Sequence, residues 1–411
     1  MRDLLFLCHR IPYPPDKGEK IRAWHMLRRL ARTHRIHLGC FLDDPADRAH
    51  LATLRAHCAD LHVVDIDRRR QTLLALLRAR PGRPLSPAYF ADAGLRAWVA
   101  GKLAGGIDRA FVYCSAMAPY LLGARGVQRV LDMVDVDSAK WADYAAHAGR
   151  AARLLGGRWL WAREARTLLA LERAAAADYA HTLFVSEAEA ALFRSLAPAS
   201  SARIGWRDNG VDSRFFAPAQ AGASPYPDSA PYAVFTGTMD YRPNVAAVTW
   251  FAGAVLPLLA QSHPRLRFAI VGASPAPAVR RLAARQNILV TGRVADTRPW
   301  LAHAAVAVAP LRLARGTQNK VLEALAMARP VVATPEAFAG LRARPGRDLL
   351  VGADAAAFAA HVAAVLDGSH PGLGAAGRAL VEAAYAWDST LEGLEALFGT
   401  AAEAPVAQGV R

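Results

Sequence analysis

Short apolar runs recur along the chain at strand length, and between them the apolar residues change to helical spacing. In the first half the runs are LLFLC (residues 4–8), IHLGCFL (36–42), LHVVDI (61–66), AFVYCS (110–115), RVLDMVDV (129–136) and TLFVSE (182–187). They are apolar on both faces, so both faces of the strands they form have to be covered. Strands of this kind separated by helices predict a parallel sheet between helical layers. The rhythm stops at residues 204–232, where Pro, Gly, Ser and Asp concentrate without periodicity, and this stretch reads as an inter-domain connection. It resumes with YAVFTG (232–237), RFAIVG (267–272), NILVTG (287–292), AVAVAP (305–310) and PVVAT (330–334). The fold class is α/β, with one parallel sheet in each half.

Three of the five later runs end in glycine, among them Gly237. A glycine at the carboxyl end of a parallel strand lets backbone approach a ligand, and ligands of open α/β sheets bind at those ends. A tight turn would use the same glycine. A chain of 411 residues with 53% hydrophobic composition has enough apolar surface for two or three packed domains.

Lys and Arg number 50 against 35 Asp and Glu, an excess of +15, which calls for an anionic partner: nucleic acid, membrane lipid or a phosphorylated ligand. The basic residues are spread along the chain without a recognisable reading motif, which argues against nucleic acid. Cys8, Cys40, Cys58 and Cys114 show no C-x-x-C spacing, and a reduced, cytoplasmic setting suits them. The apolar run before His9 is too short for a signal-peptide core. No window of about 18 uncharged apolar residues is apparent, so any membrane contact is expected to be peripheral. Two segments suit such contact: residues 67–84, DRRRQTLLALLRARPGRP, and the helical pattern over 138–178, with Trp159 and Trp161 beside Arg153, Arg158, Arg163 and Arg166. A helix packed on the sheet with a solvated arginine face is the plainer reading of the second.

Residues 314–334, ARGTQNKVLEALAMARPVVAT, carry the chemistry. Val321, Leu322, Leu325 and Ala326 form one apolar stripe of a helix over 318–328. Gly316 and Thr317 sit at its start, where free N–H groups and the positive dipole end favour an anion. Lys320 in the first turn opposes that dipole unless a negative ligand is bound. Glu323, a turn further in, can accept two hydrogen bonds from a vicinal diol such as a ribose. Taken singly, Gly316 is a helix start and Glu323 a solvated helix position.

This pattern, with FVSEAEAALF (184–193), NGVDSRFF (209–216), FTGTMDYRPNVAAVTWF (235–251), TGRV (291–294) and YAWDSTLEGLEALF (385–398), resembles the retaining glycosyltransferases of family four. PYPPDKGEKIRAWHMLRRLA (12–31) and LDMVDVDSAKWADYA (131–145) resemble more narrowly the sugar transferases of bacterial exosortase (PEP-CTERM) and exopolysaccharide gene clusters. The resemblance implies the GT-B fold, two Rossmann-like domains with parallel sheets facing a central cleft: an acceptor-side domain over 1–208, a nucleotide-sugar domain over 209–385, and a C-terminal helix over 386–411 that crosses back to the first domain before a flexible tail. It implies a UDP- or GDP-sugar as substrate, no tightly bound cofactor, and a glycan or lipid-linked acceptor met in the cytoplasm or at the inner membrane face.

Residue by residue, the resemblance assigns the ribose to Glu323 and the donor diphosphate to Gly316 and Thr317. Gly18 meets the phosphate or donor sugar from the other domain, with Lys17 and Lys20 available to the same charge. Arg293 and Val294 match a loop near the base. The chain departs from the family at Arg315, which stands where the first Glu of the E-x7-E motif is expected, and at Thr238 and Pro243, which stand where Arg and Lys are expected. Arg242 and Lys320 are the nearest replacements. Ala328 stands at the helix-ending glycine. No metal is needed if cations and helix N-termini neutralise the leaving diphosphate. The one Asp-x-Asp candidate, Asp135 and Asp137, reads as acceptor-hydroxyl ligands or a general base, with a helix cap at Asp137 or Ser138 as the competing use. His9 either faces the cleft or is a satisfied structural histidine. The competing functions are a sugar-nucleotide epimerase or hydrolase of the same fold, and a degenerate assembly factor that binds nucleotide or lipid.

Overall fold

The computed structural model describes residues 1–77, 82–147, 156–220, 222–226, 229–313 and 317–399. The chain divides into two compact units, Met1–Asp208 with the segment from Leu391 onward, and Asn209–Thr390. The first half's runs become β1 (Arg2–Cys8), β2 (His34–Leu42), β3 (Asp60–Asp65), β4 (Arg109–Tyr113), β5 (Gln128–Val134) and β6 (His181–Phe184). A seventh strand, β7 (Ile204–Trp206), joins them in the order β3-β2-β1-β4-β5-β6-β7, with every pair parallel. β7 opens the stretch read as pure connection; three residues are too few to show a period, and the strand exists because β6 offers it an edge.

The second unit holds β8 (Tyr232–Thr236), β9 (Arg267–Val271), β10 (Ile288–Gly292), β11 (Val306–Ala309), β12 (Val331–Ala333) and a two-residue β13 (Leu350–Val351). Their order is β10-β9-β8-β11-β12-β13, again all parallel. Both sheets are doubly wound: the strand order reverses between β1 and β4 in one and between β8 and β11 in the other. Those reversals are where such sheets open a ligand crevice.

The helices that bear on function in the first unit are α1 (Gly18–Leu30), α2 (Arg68–Leu77), α3 (Leu85–Tyr89), α4 (Asp137–Ala146), α5 (Gly157–Asp178) and α6 (Glu187–Leu196). Among the described residues, the helical pattern over 138–178 is carried by α4 and α5, and residues 148–155 lie outside the described residues. The C-terminal stretch differs from the single helix expected of it. It is a short helix over Trp387–Thr390 followed by a 3-10 turn over Glu395–Phe398. The turn packs on the first unit: Arg109 donates to the Phe398 carbonyl at 3.2 Å and Gln128 to that of Leu397 at 2.7 Å.

In the second unit α7 (Arg242–Trp250) runs through a π-helical turn, Phe251–Val255, into α8 (Leu256–Ser262). Residues 243–261 carry no Asp, Glu, Lys or Arg, and this helix is long and apolar enough to cross a bilayer by length and composition. The expectation that no such window exists is therefore wrong. The apolar content has a packing reason: Val248, Phe251, Ala252, Val255, Leu256 and Leu259 are buried in the unit's core, with the Phe251 ring 4.5 Å from that of Phe268 on β9.

One buried cation organises the first unit. α1 presents Ala23, Met26, Leu27 and Leu30 to the sheet, and on the same face Arg22 is fully buried. Its Nε donates to Asp132 on β5 at 2.9 Å, its Nη1 to the carbonyl of Arg207 beyond β7 at 2.7 Å, and its Nη2 to that of Phe184 at the end of β6. Burial pushes the Asp132 carboxyl up and the Arg22 guanidinium pulls it back down. Arg22→Leu leaves the buried Asp132 carboxylate with no cation and only the Val134 N–H as donor, and takes the side-chain donor from the Arg207 carbonyl. We expect a loss of about 3–5 kcal/mol in urea unfolding, and Asp132→Asn added to Arg22→Leu should recover part of it because the uncompensated charge is gone. Equal loss in the single and double variants would show that the ion pair is not the source.

Candidate active site

In an all-parallel sheet every strand delivers its carboxyl end to the same edge. At that edge of the second unit Gly237 (φ 152°) and Gly272 (φ 150°) follow β8 and β9. A Cβ at Gly272 would lie 1.7 Å from the Gly237 carbonyl oxygen, so only glycine permits the two strand ends to touch. A Cβ at Gly237 would lie 2.8 Å from Asn244 Nδ2 and 3.4 Å from Lys320 Cε. The bare backbone of Gly237 therefore faces α7 on one side and α9 (Asn319–Ala326) on the other.

Lys320 is held there by Asn244 and Phe235. Its Nζ donates to Asn244 Oδ1 at 3.0 Å and lies 5.1 Å from the centre of the Phe235 ring. Asn244 Nδ2 in turn donates to the Thr238 carbonyl at 2.9 Å. Burial brings the Lys320 ammonium down to about 8, with Glu323 opposing the shift. Burial also raises the Glu323 carboxyl to about 7 against the pull of Lys320. Each is uncomfortable as an ion near neutral pH, the condition of a site built to meet a charged or hydroxylic ligand. Gln318 begins α9 without a side-chain cap, and Asn319 Oδ1 accepts from Asn209 Nδ2 at 2.9 Å.

The other expected residues of this unit are placed variously. Thr317 is buried just before α9, whereas Gly316 and Arg315 lie outside the described residues. Arg293 is exposed after β10, and Val294 packs against the core. Arg242 stands on the outer face of α7, lining with Asp240, Thr249 and Trp250 an open groove of about 570 Å³. The α7 residue that meets Lys320 is Asn244, which the sequence reading missed because it weighed only cations as substitutes for the family's Arg and Lys. The available signal was an asparagine two positions after the helix-opening Arg242-Pro243.

The first unit gathers a second cluster at the ends of β1, β4 and β5. His9 follows β1, its ring stacked on Tyr113 at 5.9 Å and edge-on to Phe90 at 5.5 Å. Its Nδ1 is buried with no hydrogen-bond partner, and burial lowers the imidazole to about 4. It is a neutral histidine with an unmet polar atom, not a satisfied one. Asp135 follows β5; its Oδ1 is likewise buried and unpartnered, and burial, then Glu189, raise it to about 7 while Lys140 pulls it down.

Asp137 accepts from Ser115 Oγ at 3.1 Å. Neither Asp137 nor Ser138 caps α4 with its side chain. Glutamates from neighbouring helices do so, Glu189 accepting from Val136 N–H at 2.7 Å and Glu172 from Ser138 N–H at 3.1 Å. Burial raises Glu172 to about 8. Lys17 and Gly18 open α1 with no side-chain cap. Lys20 is not available beside them: it is 2% exposed and its Nζ is bound to Asp47 at 2.6 Å and Asp16 at 3.4 Å. At a buried first-turn position a lysine needs carboxylate partners, and it found them within the protein.

Residues 230–368 match the family described as "Glycosyl transferases group 1". Among solved structures the chain is similar to sucrose-phosphate synthase from Thermosynechococcus elongatus, at 17% identity and a TM-score of 0.70 over 97% of this chain and 98% of that one. It is similar to Anabaena HepE in complex with UDP and glucose, at 14% identity and a TM-score of 0.64 over 96% and 99%. It is also similar to WaaG, a glycosyltransferase involved in lipopolysaccharide biosynthesis, at 14% identity and a TM-score of 0.60 over 96% and 100%. No curated protein sequence matches it. The chain has the GT-B fold of two Rossmann-like domains, its second unit carries a group 1 glycosyltransferase domain, and it is a glycosyltransferase.

Proposed function

We propose that the protein moves a sugar from a UDP- or GDP-sugar to a glycan or lipid-linked acceptor in exopolysaccharide or cell-envelope synthesis, with retention at the anomeric carbon, in the manner of family four. The observation that carries this reading is Lys320 poised between Asn244 and the bare backbone of Gly237. A diphosphate seated there meets an ammonium, the uncapped N-terminus of α9 and exposed backbone at once. Glu323 accepts from the ribose diol. Thr317 borders the phosphates, and Arg293 and Val294 the base. The solved structures of HepE with UDP and with UDP-glucose favour uridine as the base.

Charge develops on the leaving diphosphate as the glycosidic bond breaks, and Lys320 neutralises it without a metal. Arg242 adds positive charge where α7 begins. Asp135, with its unpartnered oxygen, holds the acceptor hydroxyl beside Asp137. In the retaining course the donor phosphate oxygen takes the acceptor proton on the face the nucleotide leaves. Chelator-insensitive transfer and an unchanged anomeric configuration by NMR are the expected outcomes; inversion would instead make Asp135 the base. The acceptor brings the protein to the inner face of the cytoplasmic membrane as a peripheral enzyme of the exosortase-associated kind.

Thermal unfolding with UDP, GDP, ADP and CMP tests the donor site. At about 100 times its dissociation constant the preferred nucleotide stabilises by roughly 2.7 kcal/mol. Glu323→Ala should abolish that shift. No shift with any nucleotide would favour the non-catalytic assembly factor, and sugar release to water without acceptor would favour a hydrolase.

Affinity for the nucleotide sugar should also be confined in pH. The raised Glu323 is protonated below about 7 and loses its acceptor role. The lowered Lys320 is neutral above about 8 and loses its charge. In the unliganded protein the cost of ionising Glu323 sets in as pH rises from its unfolded value and is complete above about 7. The cost of charging Lys320 sets in as pH falls from its unfolded value and is complete below about 8. Both strains are present between those values, so binding of a UDP-sugar, whose phosphates do not titrate there, is tightest in that window. Calorimetry should show it weakening by up to about tenfold per pH unit on either side. Glu323→Gln removes the acid limb and Lys320→Arg moves the basic limb upward; limbs unchanged in both variants would assign the titration elsewhere.

A further inference from the structure

Among the described residues of the first unit, large apolar side chains stand exposed in two helices that the fold brings to one corner. On α2, Leu73 is 59% exposed and Leu77, one turn on, is 72% exposed. At the start of α5, Trp159 is 66% and Leu160 37% exposed. α3 joins them. Its first N–H groups, Leu85 and Ser86, donate to the buried Glu164 of α5 at 2.8 Å and 2.9 Å, while Arg163 donates to the Arg83 carbonyl at 3.0 Å. α2 packs directly on α3. The apolar side chains are interleaved with the exposed Arg69, Arg70, Arg83 and Arg158.

The described residues of this corner are predominantly basic. Residues 68–77, 82–91 and 156–163 contain six arginines and no Asp or Glu; the acids beside them are Asp67, which accepts from Arg70 N–H at the start of α2, and Glu164, whose carboxylate is already consumed by α3. An exposed tryptophan beside leucines costs free energy in water and gains it in a lipid interface. Arginines around it gain from anionic headgroups. A polyanion such as nucleic acid would satisfy the arginines and leave Leu73, Leu77 and Leu160 wet, so the combination favours lipid.

We propose that this corner of the first unit, Leu73 and Leu77 on α2 with Trp159 and Leu160 on α5 and the arginines between them, is a docking surface for an anionic bilayer. It rests on the reading of the protein as a peripheral membrane enzyme and gives that reading a surface. Trp159 and the leucines enter the headgroup boundary and the guanidiniums remain at phosphate level.

The test is sedimentation of the full chain, without nucleotide, with phosphatidylcholine vesicles that contain or lack phosphatidylglycerol. The protein is expected to pellet with the anionic vesicles only. Neutralising Arg70 and Arg158 to Gln should weaken binding about fivefold each, and Leu77→Ser with Trp159→Ser more than tenfold. Unchanged melting temperatures would show that these exposed substitutions leave the fold intact. A second readout is quenching of tryptophan fluorescence by brominated lipid, which should be lost in Trp159→Phe while the vesicles are still bound. Recovery in the supernatant with both vesicle types overturns the proposal, as does binding that none of these variants weakens. Absence of vesicle binding with self-association lost in Leu77→Ser would also overturn it and assign the corner to a second copy of the chain. Because no nucleotide is present, these outcomes are independent of the donor site.

Discussion

The constraint on which the rest depends is that both sheets are wholly parallel. Each strand then discharges its last residues at the same edge as its neighbours, and each following helix begins there with N–H groups that have no partner within the helix. Polar groups accumulate at that edge by topology before any function is considered. The chain settles most of them internally. Lys20 is spent on Asp47 and Asp16, Glu172 and Glu189 cap the start of α4, and Asn244 is tied to the Thr238 carbonyl. What remains unsettled includes His9 Nδ1 and Asp135 Oδ1 in one unit, and the strained ionisations of Lys320 and Glu323 in the other.

These leftovers differ in kind between the units. In the second, a cation and a carboxylate one turn apart are each displaced toward neutrality by burial, and the backbone beside them is stripped of side chain at Gly237. That is a surface for something charged that also carries hydroxyls. In the first, the unmet atoms belong to an imidazole that burial lowers, walled by Tyr113 and Phe90, and to a carboxyl that burial raises to about 7. That suits an uncharged hydroxyl-bearing group.

Much of the fold was legible because strands covered on both faces must be apolar throughout, and eleven runs of that kind could be read directly. β7 and β13 were not, since two or three residues carry no period and owe their conformation to a neighbour's edge. The polar side of the site was less legible. Lys20 looks as available as Lys17 in sequence; only the fold brings Asp47 from 27 positions away to consume it. Asn244 is unremarkable in sequence and becomes the partner of Lys320 through a helix 76 positions distant. Helix α7–α8 shows the converse, a span apolar enough for a bilayer whose inner side the core of the second unit claims. At α4 the cap that Asp137 or Ser138 offered as an alternative use comes instead from glutamates 34 and 53 positions away.

The placement of Lys320 and Glu323 finally rests on the far end of their helix. α9 ends at Ala326, and Ala328 just beyond it has φ 52°, a left-handed conformation that glycine adopts freely and alanine at a cost of about 1 kcal/mol. The turn closes with Ala328 N–H on the Leu325 carbonyl and Arg329 N–H on that of Ala324. The helix that follows in space, α10 (Leu373–Ala384), reaches this turn through two glycines. A Cβ at Gly374 would lie 2.2 Å from the Ala328 carbonyl oxygen, and one at Gly377 would lie 2.5 Å from the Leu325 side chain. Arg378 closes the contact by donating to the Ala326 carbonyl. α10 therefore packs backbone against backbone on the last turn of α9, and the buried Val321, Leu322 and Leu325 fix its rotation. A strained alanine persists because its surroundings over-determine the turn. The cation and carboxylate at the other end inherit their positions from that packing, so the site is pre-organised by the core of its own unit.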